Sequence, residues 1–372
     1  MFIRRLTYKT LKYVSKSRHL RVIAWALLIS AMLFLVGSFG VNSPTKTPTV
    51  SARADLLTAF PIKSAGCDKT SPVEPGATIN QTIVSGGITR SYLLHIPTGY
   101  HNSAGQPLIL NFHGHGGTAR QQEYYSGFST LANIYDVVVA YPQGAIGPDN
   151  HTGWDTGPRQ NPNTNDVLFV SDLLNHLQAT LCINPHRIYA SGFSNGGGMT
   201  NVLACKLAGR IAAFASVSGA YPTVPGGCSP ARPVPFMELH GTNDRIVPYN
   251  GALYKGYPPV ALWLRQWAQR DGCASNPVIF FDQTNVIGEK WTGCRDNVTI
   301  EHYVIGGMGH YWPRHIVIRT QGKSTTSLNA TTMIWSFFEN YSLPTSSYIA
   351  SGTTTRTTRT TRIPTAETDP TQ

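Results

Sequence analysis

The sequence lacks the marks of several protein classes. Its body has no cluster of Lys and Arg, which a nucleic-acid-binding surface requires. Most of the net charge of +11 lies in residues 1–21, with seven basic and no acidic side chains, and 343–372 add only +1. There is no C-x-x-C pair typical of zinc sites and no repeat of solenoid or propeller period. We therefore expect one globular body without a nucleic-acid partner.

An uncharged stretch near the N-terminus indicates targeting to the secretory route. The 20 residues Val22–Val41 follow the basic segment 1–21 and are long enough to span a bilayer. Preceding positive charge orients the N-terminus to the cytosol. An uncleaved signal anchor and a cleaved signal peptide both fit, because Ala52-Arg53-Ala54 offers a late small-residue cleavage pattern. The body is then lumenal or extracellular, with membrane contact only through this segment.

Composition divides the rest of the chain into three parts. Residues 42–60 are rich in Ser, Thr and Pro and are predicted to form a stalk. Residues 343–372 are dominated by Thr and are predicted to be a disordered tail that is a candidate for O-glycosylation. The folded domain is expected between them, over 61–342.

Cysteines and glycosylation acceptors support the same compartment. The six cysteines form an even set, which an oxidising compartment pairs as disulfides. Connectivity stays open, although proximity in sequence favours Cys205–Cys228 and Cys273–Cys294 and leaves Cys67–Cys182. The five Asn-X-Ser/Thr acceptors are Asn80, Asn150, Asn297, Asn329 and Asn340.

Hydrophobic periodicity predicts alternating strands and helices in the body. A mainly parallel sheet covered by helices on both faces follows from this order, and ligands then bind beyond the carboxyl ends of the strands. After a hairpin over Ile83–Ile96, the predicted strands are Pro107–Phe112, Val137–Tyr141, Arg187–Gly192, Ala212–Ser218, Val234–His240 and Val298–Ile305. The predicted helices are Ala119–Ile134, Asp166–Leu181, Gly196–Leu207, Pro259–Arg270 and Thr331–Tyr341.

One strand-to-helix turn carries the pattern of a serine nucleophile. Gly192-Phe193-Ser194-Asn195-Gly196 lies between a predicted strand and a predicted helix. In such a turn two glycines relieve crowding, and the Ser oxygen is exposed near a helix N-terminus. The same five residues would also suit a tight structural turn, so the interpretation depends on finding a base and an acid.

The acid and the base are expected after Ser194, in that order. Asp244 follows the strand ending at His240, and His310 follows the strand ending at Ile305 on a glycine-rich loop. We therefore predict Asp244 as the acid and His310 as the base, and we interpret His240 as structural. The rival acids are Asp271, Asp282 and Asp296, and the rival bases are His302 and His315.

The oxyanion of an acyl-transfer intermediate needs backbone donors. One is predicted to be the N–H of Asn195, directly after the nucleophile. The other is predicted to be the N–H of His115, in the loop His113-Gly114-His115-Gly116-Gly117 after a strand. No carboxylate or third ligand is spaced with His113 and His115, so we expect neither a metal nor a cofactor.

These motifs together resemble the feruloyl esterase, acetylxylan esterase and polyhydroxybutyrate depolymerase group of α/β-hydrolases. The resemblance implies an α/β-hydrolase fold and the same three residues, Ser194, Asp244 and His310. It also implies a serine esterase acting on plant polysaccharide esters, with polyhydroxybutyrate depolymerase and acetylxylan esterase as alternatives. The matching stretches are Asn111–Thr118, Tyr141–Gly144, Arg187–Met199, His240–Tyr249 and Gly306–Pro313.

Substrate contacts are less specified by the sequence. Trp154 and Trp312 are candidates to stack on a sugar or phenolic ring, or else they are packed core aromatics. A catalytically silent binding protein would keep the scaffold but usually loses one of the three catalytic residues. A serine peptidase of this fold would normally carry a lid or propeller domain, for which the body has no room.

Overall fold

The computed structural model describes residues 63–157, 164–314 and 328–344. Within these ranges, which lie in one compact unit, strands and helices alternate. The strands are β1 (Thr78–Ser85), β2 (Ile88–His95), β3 (Gln106–Phe112), β4 (Val138–Pro142), β5 (Ala145–Ile146), β6 (Thr152–Gly153), β7 (Ile183–Phe193), β8 (Ala213–Val217), β9 (Phe236–Gly241), β10 (Val278–Gln283), β11 (Val286–Trp291) and β12 (Ile300–Ile305). The helices are α1 (Ala119–Ser126), α2 (Phe128–Tyr135), α3 (Asp166–Thr180), α4 (Asn195–Lys206), α5 (Val260–Asp271) and α6 (Ala330–Phe338).

Three predicted segments lie outside the described residues. These are the targeting segment Val22–Val41, the stalk over 42–60 and the Thr-rich tail beyond residue 344. Among the residues that are described, no helix combines the length and the apolar character needed to cross a bilayer.

Ten strands form one mainly parallel sheet, in the order β1-β2-β4-β3-β7-β8-β9-β12-β11-β10. The six central strands, from β4 to β12, pair in parallel, and an antiparallel hairpin is added at each edge. Because β3, β7, β9 and β12 run in one direction, the segments that follow them all leave the same edge of the sheet. This edge carries the predicted site residues.

Helices cover both faces of the sheet, as the sequence predicted. Every residue of β3 is buried, and its side chains alternate between two cores. Leu108 and Leu110 pack with α3, α4 and α5 on one face, whereas Ile109 packs with α2 and α6 on the other. Burial on both faces explains why the central strands appear in the sequence as short, continuous apolar runs.

Two local predictions were wrong. The single helix predicted over Ala119–Ile134 is two helices, because Gly127 adopts a left-handed conformation (φ 64°) that ends α1. The hairpin β10–β11 was not predicted at all. Five of the six residues of β10 are exposed, so this edge strand shows no alternation between apolar and polar positions.

The three disulfides are the two pairs that proximity in sequence favoured and the pair that these left over. Cys205–Cys228 and Cys273–Cys294 close short loops, and Cys67–Cys182 ties the start of the described chain to the segment before β7 across 115 residues. Closing so long a loop restricts the unfolded chain most. Such bonds persist in oxidising compartments, which indicates an extracellular or lumenal protein.

One buried carboxyl makes the stability of the fold depend on pH. Asp271 ends α5 and is inaccessible to solvent. Burial raises the pKa of this carboxyl to about 7, and the neighbouring cations of Arg270, Arg295 and Arg232 offset only part of that effect. The folded state therefore retains a proton that the unfolded chain releases between about pH 4 and 7.

We predict that Asp271→Asn removes this pH dependence. Since the pKa of Asp271 is higher in the folded than in the unfolded state, the wild-type protein loses unfolding free energy as pH rises through this window. Between pH 5 and pH 8 the variant should gain about 2–3 kcal/mol of unfolding free energy relative to wild type, at 1.36 kcal/mol per pKa unit. Urea unfolding at both pH values measures this. The same difference in unfolding free energy between variant and wild type at pH 5 and at pH 8 would contradict the prediction.

Candidate active site

Ser194 alone connects β7 to α4 and has a strained backbone. Its φ of 56° and ψ of −119° lie outside the regions that L residues normally adopt. Hydrogen bonds hold it there: its N–H donates to Val217, and its carbonyl accepts from Gly198 and Ala220, each at 3.0 Å. The neighbouring strand and helix thus fix this turn at the carboxyl edge of the sheet.

The glycines of the motif are required because neighbouring backbone lies too close to leave room for a Cβ. An added Cβ on Gly192 would overlap the backbone of Gly196, and one on Gly196 would overlap the carbonyl of Phe112. A Cβ on Gly197, one residue further, would overlap the hydroxyl of Ser216. The sharp turn at Ser194 therefore exists only because α4 can pack its first turn directly against β3, β7 and β8.

His310 and Asp244 meet at the same edge. Nδ1 of His310 donates to Oδ2 of Asp244 at 2.7 Å, and the other oxygen of Asp244 accepts from the N–H groups of Ile246 and Val247. Burial by itself raises the pKa of Asp244, but hydrogen bonds from His240 and His310 outweigh it and hold that pKa well below its usual range. Asp244 is therefore an ionised partner for His310.

Ser194 and His310 line one cavity of about 400 Å³. The ring of Phe193 lies beside His310, with centroids 4.7 Å apart. Aromatic and apolar side chains supply much of the remaining wall. Besides Phe193 these are Tyr124, Tyr125, Ile246, Tyr311 and Trp312, with Arg314 at the same cavity.

The loop 113–117 passes directly beside the nucleophile. An added Cβ on Gly114 would lie 3.2 Å from the Cβ of Ser194. The N–H of Gly116 donates to the carbonyl of Thr152 in β6, and the N–H of Gly117 donates to the carbonyl of Gly114 within the loop. The N–H groups of His115 and Asn195, the predicted oxyanion donors, have no acceptor within the described part of the chain.

His113 fixes the shape of this loop. Its Nε2 accepts from the N–H of Gly144 at 2.9 Å, so the proton lies on Nδ1, which donates to the carbonyl of Gly114 at 2.7 Å. Burial lowers the pKa of His113 to about 4, so the ring stays neutral at physiological pH. His113 is thus a structural residue of the loop.

The two predicted substrate-binding tryptophans occupy different positions. Trp154 is buried, donates from Nε1 to the carbonyl of His113 at 2.8 Å, and does not line the cavity at Ser194. Its backbone also binds the side-chain amide of Asn195. Of the two roles predicted for Trp154, packing agrees with these contacts, because the ring is held against the loop 113–117 and not in the cavity at Ser194. Trp312 does line the cavity, with Nε1 anchored on Thr331 at 3.0 Å.

The rival acids and bases lie elsewhere. Asp271 ends α5, Asp282 lies on the edge strand β10, and Asp296 is exposed after β11. His302 is buried in β12, and His315 lies outside the described residues. None of the described rivals lines the cavity that contains Ser194.

A buried charge network lies behind Asp244. Nδ1 of His240 is 2.9 Å from the carboxylate of Glu238, and Nε2 is 2.9 Å from the carbonyl of Val247. Both partners only accept, so both ring nitrogens carry protons and His240 is a cation. Burial lowers the pKa of His240, but the charge of Glu238 and the hydrogen bonds outweigh it and raise that pKa to about 10.

Glu238 in turn lies between two histidines. Its second carboxylate oxygen is 2.8 Å from Nδ1 of His302, whose Nε2 is 3.0 Å from the hydroxyl of Tyr249. Glu238 was not among the residues predicted from the sequence. Glu238 lies two residues before His240 on β9, so both side chains are on the same face of the strand. This spacing was the feature of the sequence from which the pair could have been predicted.

The chain is similar in sequence to known esterases. Residues 158–254 match the family model described as phospholipase/carboxylesterase. Feruloyl esterase B from Piromyces equi is 33% identical over 68% of this chain and 46% of its own length. A bifunctional acetylxylan esterase/xylanase from Neocallimastix patriciarum is 30% identical over 58% of this chain and 30% of its own length. Feruloyl esterase C from Emericella nidulans is 30% identical over 55% of this chain and 71% of its own length. The chain thus spans less than half of the first two.

We predict that Gly196→Ala destabilises the fold. The new Cβ would overlap the carbonyls of Phe112 and His113, so α4 would have to move away from β3. The expected loss is about 1–3 kcal/mol, the usual cost of overpacking. Thermal unfolding measures it, with Gly209→Ala as the control because a Cβ there meets nothing within 4 Å. Equal melting temperatures for both variants would contradict the packing argument.

A second prediction concerns the buried network. His240→Gln should cost about 3–5 kcal/mol of unfolding free energy, because it leaves Glu238 buried without its cationic partner. The double variant Glu238→Gln/His240→Gln removes both charges and should be more stable than the single variant. Urea unfolding of the four proteins in this cycle measures the coupling. Additive losses would show that the two charges do not interact.

Proposed function

We propose that this chain, which belongs to the feruloyl esterase family of α/β-hydrolases, is an extracellular serine hydrolase of carboxylic esters. The observation that carries the proposal is the cavity shared by Ser194 and His310, with His310 held by the buried, ionised Asp244. A nucleophile, a base and an orienting acid are the three groups that acyl transfer from an ester needs.

The proposed reaction has two halves. Ser194 Oγ attacks the ester carbonyl carbon while His310 takes the Ser194 proton, and the alcohol leaves with that proton as the acyl–serine bond forms. Water then attacks the acyl-enzyme, His310 again accepts and returns the proton, and the free acid departs. The N–H groups of Asn195 and His115 are the proposed donors to the oxyanion of both tetrahedral intermediates.

The buried network supports this chemistry through its balance of charge. Glu238 and the His240 cation carry opposite charges and lie 2.9 Å apart, so they largely cancel. The His240 cation also lies 3.4 Å from Asp244, so Glu238, His240 and Asp244 together carry one net negative charge, and Asp244 presents it to His310. That charge stabilises the imidazolium formed when His310 takes the Ser194 proton.

The cavity wall favours an aromatic acyl group over acetate. Tyr124 and Tyr125 lie side by side with ring centroids 6.0 Å apart, and Phe193 and Trp312 add further aromatic surface. Rings of this kind pack against a flat phenolic acyl group, whereas acetate would leave most of that surface uncovered. We therefore propose feruloyl esters of plant polysaccharide as substrates, with acetylxylan and hydroxybutyrate polyesters as the alternatives.

The acceptor sites are compatible with a glycosylated, secreted enzyme. Asn80, Asn150, Asn297 and Asn340 are exposed, and Asn329 is half-buried because its side chain caps α6. We propose N-glycosylation at these five positions, with entry to the secretory pathway through Val22–Val41.

Replacement of Ser194 by Ala tests the mechanism. Hydrolysis of p-nitrophenyl acetate and methyl ferulate should fall at least about 10⁴-fold, because no other group forms the acyl-enzyme. Ser103→Ala, at an exposed serine before β3, is the matched control and should retain full activity. Activity that survives Ser194→Ala would refute the mechanism.

The same assay, run on a panel of substrates, distinguishes the acyl groups. Wild type should hydrolyse methyl ferulate with a higher kcat/KM than acetylated xylan or hydroxybutyrate oligomers. A preference for either alternative would overturn the substrate assignment but not the serine mechanism. No turnover of any ester would favour a binding protein on a hydrolase scaffold.

A further inference from the structure

Three potential metal ligands meet on the outer side of the loop that passes Ser194. His115 belongs to the loop 113–117, and Asp149 and His151 belong to the turn between β5 and β6. One ligand atom from each side chain lies within 4.8 Å of the others. No metal was predicted from the sequence, because no carboxylate is spaced near His115. The fold brings one from 34 residues away.

The distances between the ligand atoms are close to those of a metal centre. Oδ2 of Asp149 lies 2.7 Å from Nε2 of His115 and 4.0 Å from Nδ1 of His151. Ligands about 2.1 Å from a tetrahedral zinc ion are about 3.4 Å apart. All three side chains are exposed, so rotations about their side-chain bonds can make up the difference.

The backbone beneath these side chains is already cross-linked. The N–H of Gly116 donates to the carbonyl of Thr152 at 2.7 Å, and the Thr152 hydroxyl donates to the carbonyl of Gly117 at 2.6 Å. The imidazole rings of His115 and His151 are neighbours, with centroids 5.3 Å apart and an angle of 32° between their planes. Binding would therefore require little ordering of the chain, which is the main cost of forming a site between two loops.

The space around the cluster leaves room for further ligands. His115, Asp149 and His151 line a cavity of about 320 Å³, and His115 also lines the neighbouring cavity that contains Ser194. Three protein ligands with open positions is the arrangement of a metal centre that retains water or an exogenous ligand. A closed structural site would need a fourth protein ligand, and the described residues supply none here.

From this geometry we propose that His115, Asp149 and His151 bind a divalent transition-metal ion of the zinc class. Two imidazole nitrogens and one carboxylate oxygen suit zinc and its first-row neighbours. Calcium and magnesium prefer oxygen ligands and are not expected to bind. The bound ion would fasten the turn 147–151 to the loop 113–117, on which the proposed oxyanion donor His115 lies. The proposal does not depend on the esterase function.

Zinc titration of the purified full-length chain tests the site. Calorimetry with ZnCl₂ should show saturable binding of one ion to wild type. His151→Asn and Asp149→Asn should each weaken it at least about tenfold, since each removes one of three ligands. His101→Asn is the matched control, because His101 is an exposed histidine at the opposite end of β3, and it should bind zinc as wild type does. Zinc should also raise the melting temperature of wild type and of His101→Asn more than that of His151→Asn or Asp149→Asn.

Cobalt gives an independent readout. Co²⁺ bound by two histidines and a carboxylate should produce visible absorption bands that are absent from His151→Asn and present in His101→Asn. Calcium at the same concentration should change neither the spectrum nor the melting temperature. Wild type that binds no zinc would overturn the proposal. Unchanged zinc affinity in both His151→Asn and Asp149→Asn would also overturn it. That result would place the ion at another histidine, such as His310.

Discussion

The left-handed backbone of Ser194 is the constraint on which the rest of the site depends. A non-glycine residue at φ 56° persists only where its surroundings hold it, and here β8 and the first turn of α4 both bind its backbone. Those contacts demand that α4 lie against the sheet, which in turn demands glycine at 192, 196 and 197. The position of one side chain thus determines the packing of three elements around it.

The parallel sheet then brings the remaining groups to the same edge. Strands β3, β7, β9 and β12 end together, so the loop 113–117, Ser194, Asp244 and His310 lie near one another although they span almost 200 residues. Behind them, Glu238 and His240 form a compensated pair that lets a carboxylate remain ionised inside the protein. Neutral His113 shapes the loop from below. The site is therefore supported by buried polar groups. Of these, His113 lines the cavity that contains Ser194, whereas Glu238 and His240 do not.

Sequence reasoning was informative where the signal was local or followed from chain order: the structure has the predicted sharp turn at Ser194 and brings Asp244 and His310 into contact. The strand–glycine–serine–glycine–helix pattern and the order of Ser194, Asp244 and His310 needed no knowledge of distances. It failed where the answer depended on neighbours distant in sequence. Trp154 could be a stacking surface or a packed ring, and only the bond to His113 decides for packing. The partnership of Asp149 and His151 with His115 was equally invisible, because loops carry no periodicity that reveals their contacts.

The sequence by itself determined the alternation of strands and helices, the sharp turn at Ser194 and the order of the candidate acid and base, because periodicity, glycine placement and chain order are properties of the chain alone. Only the tertiary structure decided which charges are buried together, since a pKa depends on solvent exclusion and on charges a few ångströms away. The tertiary structure lowers the pKa of Asp244 and raises the pKa of Asp271, although the two residues are of the same type. It also makes His240 a cation. The physical reason is that burial acts on both carboxyls, whereas only Asp244 has histidine donors close enough to outweigh it.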